Sequence, residues 1–395
     1  MNKGAMVSWL RWHYPKAFGI RKQLAKKRIA IVKKYMISKE ETTKAEKDVA
    51  YKNKLVKQYG RKWQKMFDAT NRNIDELFQN VRAYRERKDL EQLRSDMLFC
   101  KIAYGFQPDE YMFYRLEGKN QQERQEYVSD AERYVYTYTM GDISDIQFFL
   151  DKTRTYQKFA PFYKRDAIVV RSDSDITAFK AFLGKHPEFV CKKASASRGI
   201  GVKLIDSRTC GKTPEELLHS IAADGRHLLE ERVVQGEPMA RLNASSVNTI
   251  RCITFRTKHG VVVPFAFLKV GRNGSFVDNG GAGGILVGVD IQTGCLNSDG
   301  YDEVNETYTC HPESQIVFKG YQLPEWEQMI ETCKKMSEVI PTVGYVGWDM
   351  AYSNKGWVVI EGNMGQMIGP QIVMERGIKA EIEQYRKDME LYLEL

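Results

Sequence analysis

No apolar run in this chain approaches the ~20 residues that a membrane-spanning helix needs; the longest reaches only from Val261 to Leu268. The seven cysteines, Cys100, Cys191, Cys210, Cys252, Cys295, Cys310 and Cys333, are odd in number, widely spaced and never arranged as Cys-x-x-Cys. This usage argues against a zinc ribbon or a disulfide framework and suits a reducing compartment. The N-terminus lacks the apolar stretch and small-residue cleavage site of a secretory leader, so a cytoplasmic protein is expected. Internal repeats and low-complexity segments are missing as well. With 43% hydrophobic and 28% charged residues, the composition excludes disordered and collagen-like chains. A length of 395 residues fits two or three domains.

Charge is present in excess but unevenly. Residues 1–65 hold 19 basic and 4 acidic residues, a net of +15, while the other 41 basic and 47 acidic residues leave −6. Trp9, Leu10, Trp12, Tyr14 and Phe18 precede the basic runs Arg21-Lys22 and Lys26-Lys27-Arg28. Aromatics beside clustered cations suit an anionic membrane surface, at about 1 kcal/mol per cation near the headgroups. A solvated basic helix laying its few apolar residues on the body is the alternative. No nucleic-acid recognition module is present, and nucleic acid is not expected as a partner.

Between Ser38 and Asp130 glycine and proline are scarce, and Arg61 to Ala103 holds neither. Leu77, Val81 and Tyr84, then Leu90, Leu93 and Met97, recur at three-and-four spacing, which predicts amphipathic helices. A strand at Ala167–Val170 follows within a βα-like stretch, Ser144 to Lys185. After Pro187 the pattern becomes strands between glycine-rich turns: from Phe189, His227 to Val234, Thr249 to Thr257, Val261 to Val270 and Ile285 to Ile291. A helix opened by Pro324 carries Trp326, Met329, Ile330, Cys333, Met336 and Ile340 on one face. Strands Gly347–Ala351 and Trp357–Glu361 close the core.

Three constellations carry chemistry. In the first, a strand delivers a lysine from the pair Lys192-Lys193, and the loop Ser195-Ala-Ser-Arg-Gly-Ile-Gly201 leads into another strand. Small residues let backbone N–H groups approach phosphate oxygens, and the lysine supplies charge. An ordinary Ser/Gly hairpin has the same look; a Walker loop and a Rossmann fingerprint are excluded by the missing GK[ST] and the missing helix. In the second, Leu228 to Val234 ends in carboxylates, with Glu237 beyond. It suits an adenine edge and ribose hydroxyls, or a solvated edge strand. In the third, Asp349 lies on one strand and Glu361 and Asn363 on the next, joined by the turn Ser353-Asn-Lys-Gly356. Two carboxylates and an amide oxygen, flanked by Trp348, Val359 and Ile360, form a hard-oxygen set for Mg²⁺ holding nucleotide phosphates. Without a cation their burial would cost several kcal/mol each.

These pieces, in this order, resemble the ATP-grasp superfamily over roughly residues 145–370. Ser246 to Arg251, Val277 to Gly284, Val289 to Gly294, His311-Pro312, Phe318 to Pro324 and Val346 to Asp349 look like its sugar-transfer-associated subgroup. The resemblance implies an α+β ATP-grasp fold, two subdomains gripping ATP, behind a helical N-terminal extension. The domains expected are a basic tail 1–35, a helical region 36–143, a first subdomain 144–226 and a second, with the metal site, at 227–395. For ATP it implies Lys192, the loop residues Ser195, Ser197, Arg198, Gly199 and Gly201, and the hinge Glu230, Glu231 and Val233, the last two through backbone. Glu237 is implied at the ribose. Lys152 is taken as the second lysine, with Lys158 and Lys164 near it. Asp349, Glu361 and Asn363 are implied for Mg²⁺, Arg251 as a phosphate clamp, and Asp278 and Asn279 near the acceptor.

The implied activity is an amide-forming ligase. A substrate carboxylate takes the γ-phosphate of ATP, and an amine then displaces phosphate. The substrates implied are a carboxylate and an amine, glycan-linked, in envelope or surface-polysaccharide assembly, with the basic tail at the inner face of the membrane. A phosphotransferase acting on a hydroxyl, and a nucleotide-binding scaffold for glycosyltransferases, are the alternatives. Asn279-Gly280 is also an ordinary hairpin signal, and His311 before proline is commonly a satisfied loop histidine.

Overall fold

A computed structural model describes residues 18–195, 201–275, 278 and 283–389. Local chemistry sets the helix boundaries in the first part of the chain. Ser38 accepts the Glu41 N–H while the Glu41 carboxylate takes the Ser38 N–H, and this reciprocal cap starts the helix Lys39–Lys47. Asp48 caps Val49–Lys62 by accepting the Tyr51 N–H. In Gln64–Asn80 the residues Phe67, Thr70, Ile74 and Phe78 form the buried face. Leu77, expected on that face, is only half-buried, because Phe78 takes the core position. Leu90–Tyr104 ends at Gly105, whose φ of 81° suits glycine, and a Cβ there would meet the Ala131 Cβ at 2.3 Å.

This helical region does not form a core of its own. Phe99, Ile102, Phe106 and Tyr111 share one buried cluster with Phe255, Phe265, Phe267 and Tyr345 from the strands beyond. The basic tail is divided too. Trp9 and Trp12 lie outside the described residues, whereas Phe18–Lys33 is a helix that contacts the helix Asp130–Thr139 and packs Ala25 beside Tyr138. A boundary at residue 35 therefore falls behind a packed helix rather than at the end of a free tail.

Two antiparallel sheets follow. The first joins β1 (Ala167–Val170), β2 (Glu188–Lys193), β3 (Val202–Asp206) and β4 (His227–Glu231) in the order β1-β4-β2-β3. Helices Ile176–Lys185 and Pro214–Ala222 cover one face, where Phe179, Phe182, Leu217 and Leu218 meet Val170, Phe189 and Leu229. Because β4 pairs with both β1 and β2, this subdomain runs to Glu231, and the expected boundary at 226/227 cuts through its sheet.

The second sheet contains β5 (Thr249–Thr257), β6 (Gly260–Val270), β7 (Ile285–Val289), β8 (Leu296–Tyr301), β9 (Thr307–Tyr308), β10 (Tyr345–Ser353) and β11 (Gly356–Asn363). Their order is β11-β10-β5-β6-β7-β8-β9. Its core on one side is the helix Trp326–Glu338, whose Met329, Cys333 and Met336 cluster with Ile250, Cys252, Leu268, Trp348 and Met350. That helix starts at Trp326 rather than Pro324. The N-terminal helical region covers the other side. β8 and β9 were not expected; β8 reads Leu-Asn-Ser-Asp-Gly-Tyr, polar enough to resemble a loop. Among the described residues no helix is long and apolar enough to cross a membrane.

Candidate functional site

Strand alternation separates the two neighbouring lysines of β2. Lys192 is buried and its Nζ donates to Glu230 Oε2 on β4 at 3.0 Å, while the more exposed Lys193 reaches Asp224 at 2.5 Å. Arg165 donates to the same Glu230 oxygen through Nε at 2.9 Å and Nη2 at 2.7 Å. Its Nη1 donates to the Val359 carbonyl of β11 at 2.7 Å, so one guanidinium ties the first sheet to the second. Burial would raise the Glu230 carboxyl, but Arg165 and Lys192 hold it below the usual carboxylate range. The other oxygen, Glu230 Oε1, is buried without a hydrogen-bond partner.

The Lys152 N–H donates to the Ala194 carbonyl just past β2 at 2.9 Å, which fixes the start of the helix Lys152–Tyr163 beside the lysine strand. Its side chain is within electrostatic reach of Lys192, Glu230 and Glu361. Burial lowers the ammonium below the usual lysine range, Glu361 opposes this, and Lys192 adds to it. Lys152 thus lies within electrostatic reach of Lys192 on the first sheet and of Glu361 on the second. Lys164, by contrast, caps the far end of that helix and donates to the Lys355 carbonyl at 3.4 Å.

On the second sheet Asp349 stands opposite both Glu361 of β11 and Arg251 of β5. Arg251 grips the Asp349 carboxylate through Nε and through Nη2 at 2.8 Å, and Lys269 of β6 donates to it at 3.0 Å. Burial would raise Asp349, but Arg251 and Lys269 hold it well below the carboxylate range. Asn363 Nδ2 lies 3.0 Å from Glu361 Oε1 and 3.5 Å from Asp349 Oδ2, bridging the two carboxylates. Asp278 accepts from the Thr249 hydroxyl and lies 3.7 Å from Lys269. Burial pushes its carboxyl up, Lys269 opposing and Asp349 adding.

Several expectations change. Arg251 is engaged with Asp349, so a role on phosphate requires it to share or exchange that partner. Glu230 faces inward as the anchor of Lys192, away from a hinge edge. The Glu231 N–H is taken by the Asp166 carbonyl at 2.8 Å, and its carboxylate holds Lys355 at 3.0 Å, so that N–H is unavailable to a base. Val233 is half-buried just beyond β4, and Glu237 is exposed, 3.6 Å from Arg241. Ser195 and Gly201 flank the expected phosphate loop; Ser197, Arg198 and Gly199 lie outside the described residues, as does Asn279. His311 is fully buried, with Nε2 2.8 Å from the Gly271 carbonyl and Nδ1 accepting the Glu313 and Ser314 N–H groups, a structural histidine.

Arg165 and Lys269 were missed. Neither lies in a recognisable motif, and only long-range pairing brings them to Glu230 and Asp349. Among the described residues no three His, Cys, Asp or Glu side chains cluster as a metal site. The expected set is instead two carboxylates and an amide. The donor types fit Mg²⁺, but Asn363 now turns Nδ2 to both carboxylates, so its amide would have to turn over to present Oδ1 as the third hard donor. A cavity of about 460 Å³ between the helical region and the Val304–Glu306 turn, lined by Tyr84, Arg87, Tyr111 and Met112, contains none of these residues.

The model of the family described as sugar-transfer associated ATP-grasp matches residues 157–387. No protein of curated function matches the chain. Among solved structures, the D-alanine-D-alanine ligase from Coxiella burnetii is 11% identical, with 65% of this chain and 66% of that one covered and a TM-score of 0.37. The D-alanyl-alanine synthetase A from Vibrio cholerae is 11% identical, with 61% and 65% covered and a TM-score of 0.38. N5-carboxyaminoimidazole synthetase from Staphylococcus aureus, complexed with ADP, is 10% identical, with 57% and 47% covered and a TM-score of 0.35. The chain spans less than two thirds of the length of each, and the likeness is a distant one of fold.

Proposed function

The chain belongs to the sugar-transfer associated ATP-grasp family, and on that premise we propose that it is an ATP- and Mg²⁺-dependent ligase joining a carboxylate to an amine through an acyl phosphate. The observation that carries the reading is that Lys152 lies within electrostatic reach both of Lys192 and of Glu361, which stands opposite Asp349 and beside Asn363.

In this reading Lys152 and Lys192 neutralise phosphate oxygens, and Glu230 holds Lys192 in place. Asp349, Glu361 and Asn363 would hold Mg²⁺, which when bound supplies charge to the phosphates. Arg251 and Lys269 bring positive charge beside the transferring phosphoryl group. A carboxylate oxygen of the substrate attacks the γ-phosphorus, and the bond to ADP breaks. An amine nitrogen then attacks the acyl carbon, loses a proton, and the carbon–oxygen bond to phosphate breaks. The protein supplies no nucleophile; it orients and neutralises. The family's sugar-transfer association points to a glycan-linked substrate in envelope or surface-polysaccharide modification.

Incubation with ATP, Mg²⁺, hydroxylamine and a panel of carboxylates tests this reading. A hydroxamate that requires both ATP and one carboxylate is expected. ADP formed on a hydroxyl acceptor without any hydroxamate would favour phosphotransfer, and nucleotide binding without turnover would favour a scaffold.

A further inference from the structure

The helix Phe18–Lys33 buries one stripe and leaves the opposite one bare. Ala25 and Ile29 are buried, Ala25 beside Tyr138 of the helix Asp130–Thr139. Lys27, Ile31 and Lys34, at four- and three-residue spacing, take the other side. The Lys34 N–H donates to the Ala30 carbonyl at 3.0 Å and so continues the last turn. Both lysines are exposed, and Ile31 between them is 58% exposed.

The stripe runs on to a second cationic surface. Lys34 Nζ lies 4.7 Å from the centre of the Trp63 ring and Lys62 Nζ 5.4 Å from it, while Tyr35 meets the same ring edge-on at 4.9 Å. Trp63 ends the helix Val49–Lys62, whose Lys54, Lys57 and Arg61 are exposed as well. Residues 22–37 and 49–67 each hold six basic residues and no acidic one. Among the described residues only Lys52 of these twelve forms an ion pair, with Asp96 at 2.9 Å. The fold thus gathers like charges around Trp63 and keeps carboxylates out, an arrangement that repels itself until an external anion balances it.

We propose that this folded face, distinct from the segment before Phe18, docks on an anionic lipid bilayer. The lysines meet headgroup phosphates, and Ile31 enters the boundary with the acyl chains. A nucleic-acid duplex would engage the same cations but leave Ile31 in water. The helix Asp130–Thr139, on which the basic helix packs, also sets Arg133 and Thr137 against Gly365, where a Cβ would stand 3.1 and 3.5 Å from them. Gly365 follows Asn363 by two residues, so one helix lies between the docking face and the strand end that carries Glu361 and Asn363. Packed helix axes are about 10 Å apart, and a substrate borne on a lipid at this face starts near the acidic site. The docking surface itself does not rest on the ligase reading.

Co-sedimentation of the full chain with phosphatidylcholine vesicles, with and without about a third phosphatidylglycerol, tests this. The wild type should pellet with the anionic vesicles alone, and less as salt is raised. Lys27→Glu, Lys34→Glu and Lys62→Glu together, with residues 1–17 intact, should weaken binding at least ~10-fold. The same reversal at Lys212, Lys258 and Lys335, exposed elsewhere, should weaken it less than about threefold. Ile31→Trp should tighten it about threefold, a gain that no loss of fold can mimic. Nucleotide affinity should stay within about twofold in every variant. A wild type that binds both vesicles equally, or that binds a duplex oligonucleotide and neither vesicle, overturns the proposal. So does a face variant that keeps wild-type binding, or a control that falls as far. A face variant that loses binding and thermal stability together, with Ile31→Trp binding no better than wild type, overturns it too.

Discussion

Arg251 and Asp349 lie directly opposite each other on neighbouring strands, and the guanidinium takes both oxygens of the carboxylate. With Lys269 also in contact, the Asp349 charge is already balanced. Glu361 is bonded instead by the neutral Asn363 amide, with the Lys152 ammonium within electrostatic reach.

Glu361→Gln should therefore abolish ATP turnover at low-millimolar Mg²⁺ while leaving the melting temperature equal or higher in metal-free buffer. The substitution removes a ligand charge and one source of repulsion with Asp349. Unchanged turnover would remove Glu361 from the metal set.

Lys192→Ala should weaken nucleotide binding at least ~10-fold, about 1.4 kcal/mol, and Lys193→Ala should change it little. Arg165 still pairs Glu230 in the first variant, so the fold should hold. The opposite ranking in a nucleotide titration would place the wrong face of β2 toward ATP.

Glu110 in the helix Pro108–Phe113 accepts the Gln107 and Asp130 N–H groups on one oxygen, and burial pushes its carboxyl up to about 8. The folded chain keeps this proton above the pH at which the unfolded chain releases it. Its contribution to stability is full below the ordinary glutamate value of 4.5 and is lost as pH rises toward 8. Relative to Glu110→Gln, the wild type should lose stability between these values, at a slope of at most ~1.4 kcal/mol per pH unit. Parallel melting-temperature curves for the two chains would show that the group is ionised in the fold.

Deleting residues 1–17 should reduce pelleting with anionic vesicles and leave nucleotide binding intact, with raised salt weakening pelleting of the full chain. The cut stops short of the packed helix Phe18–Lys33, so the body stays folded. Full-length protein that ignores anionic vesicles at low salt would end the membrane reading.

What the sequence revealed is what lies close along the chain. The Ser353–Gly356 turn is short, so Asp349 opposite Glu361 could be inferred from strand pairing alone, as could the alternation of Lys192 and Lys193. Partners far apart in sequence stayed hidden. Arg165 meets Glu230 across 65 residues, and Lys269 meets Asp349 across 80. The polar strand Leu296–Tyr301 reads as a loop until β7 pairs with it. The shared core of helices and second sheet gathers Phe99 and Phe255 into one cluster, which no local period encodes.

The most direct test of the central claim follows the oxygen. With a carboxylate substrate identified by hydroxamate trapping and labelled with ¹⁸O in its carboxylate, the phosphate released during amide formation should carry one ¹⁸O, because the attacking oxygen leaves with phosphorus. Unlabelled phosphate released as the amide forms would contradict an acyl-phosphate intermediate and with it the ligase assignment.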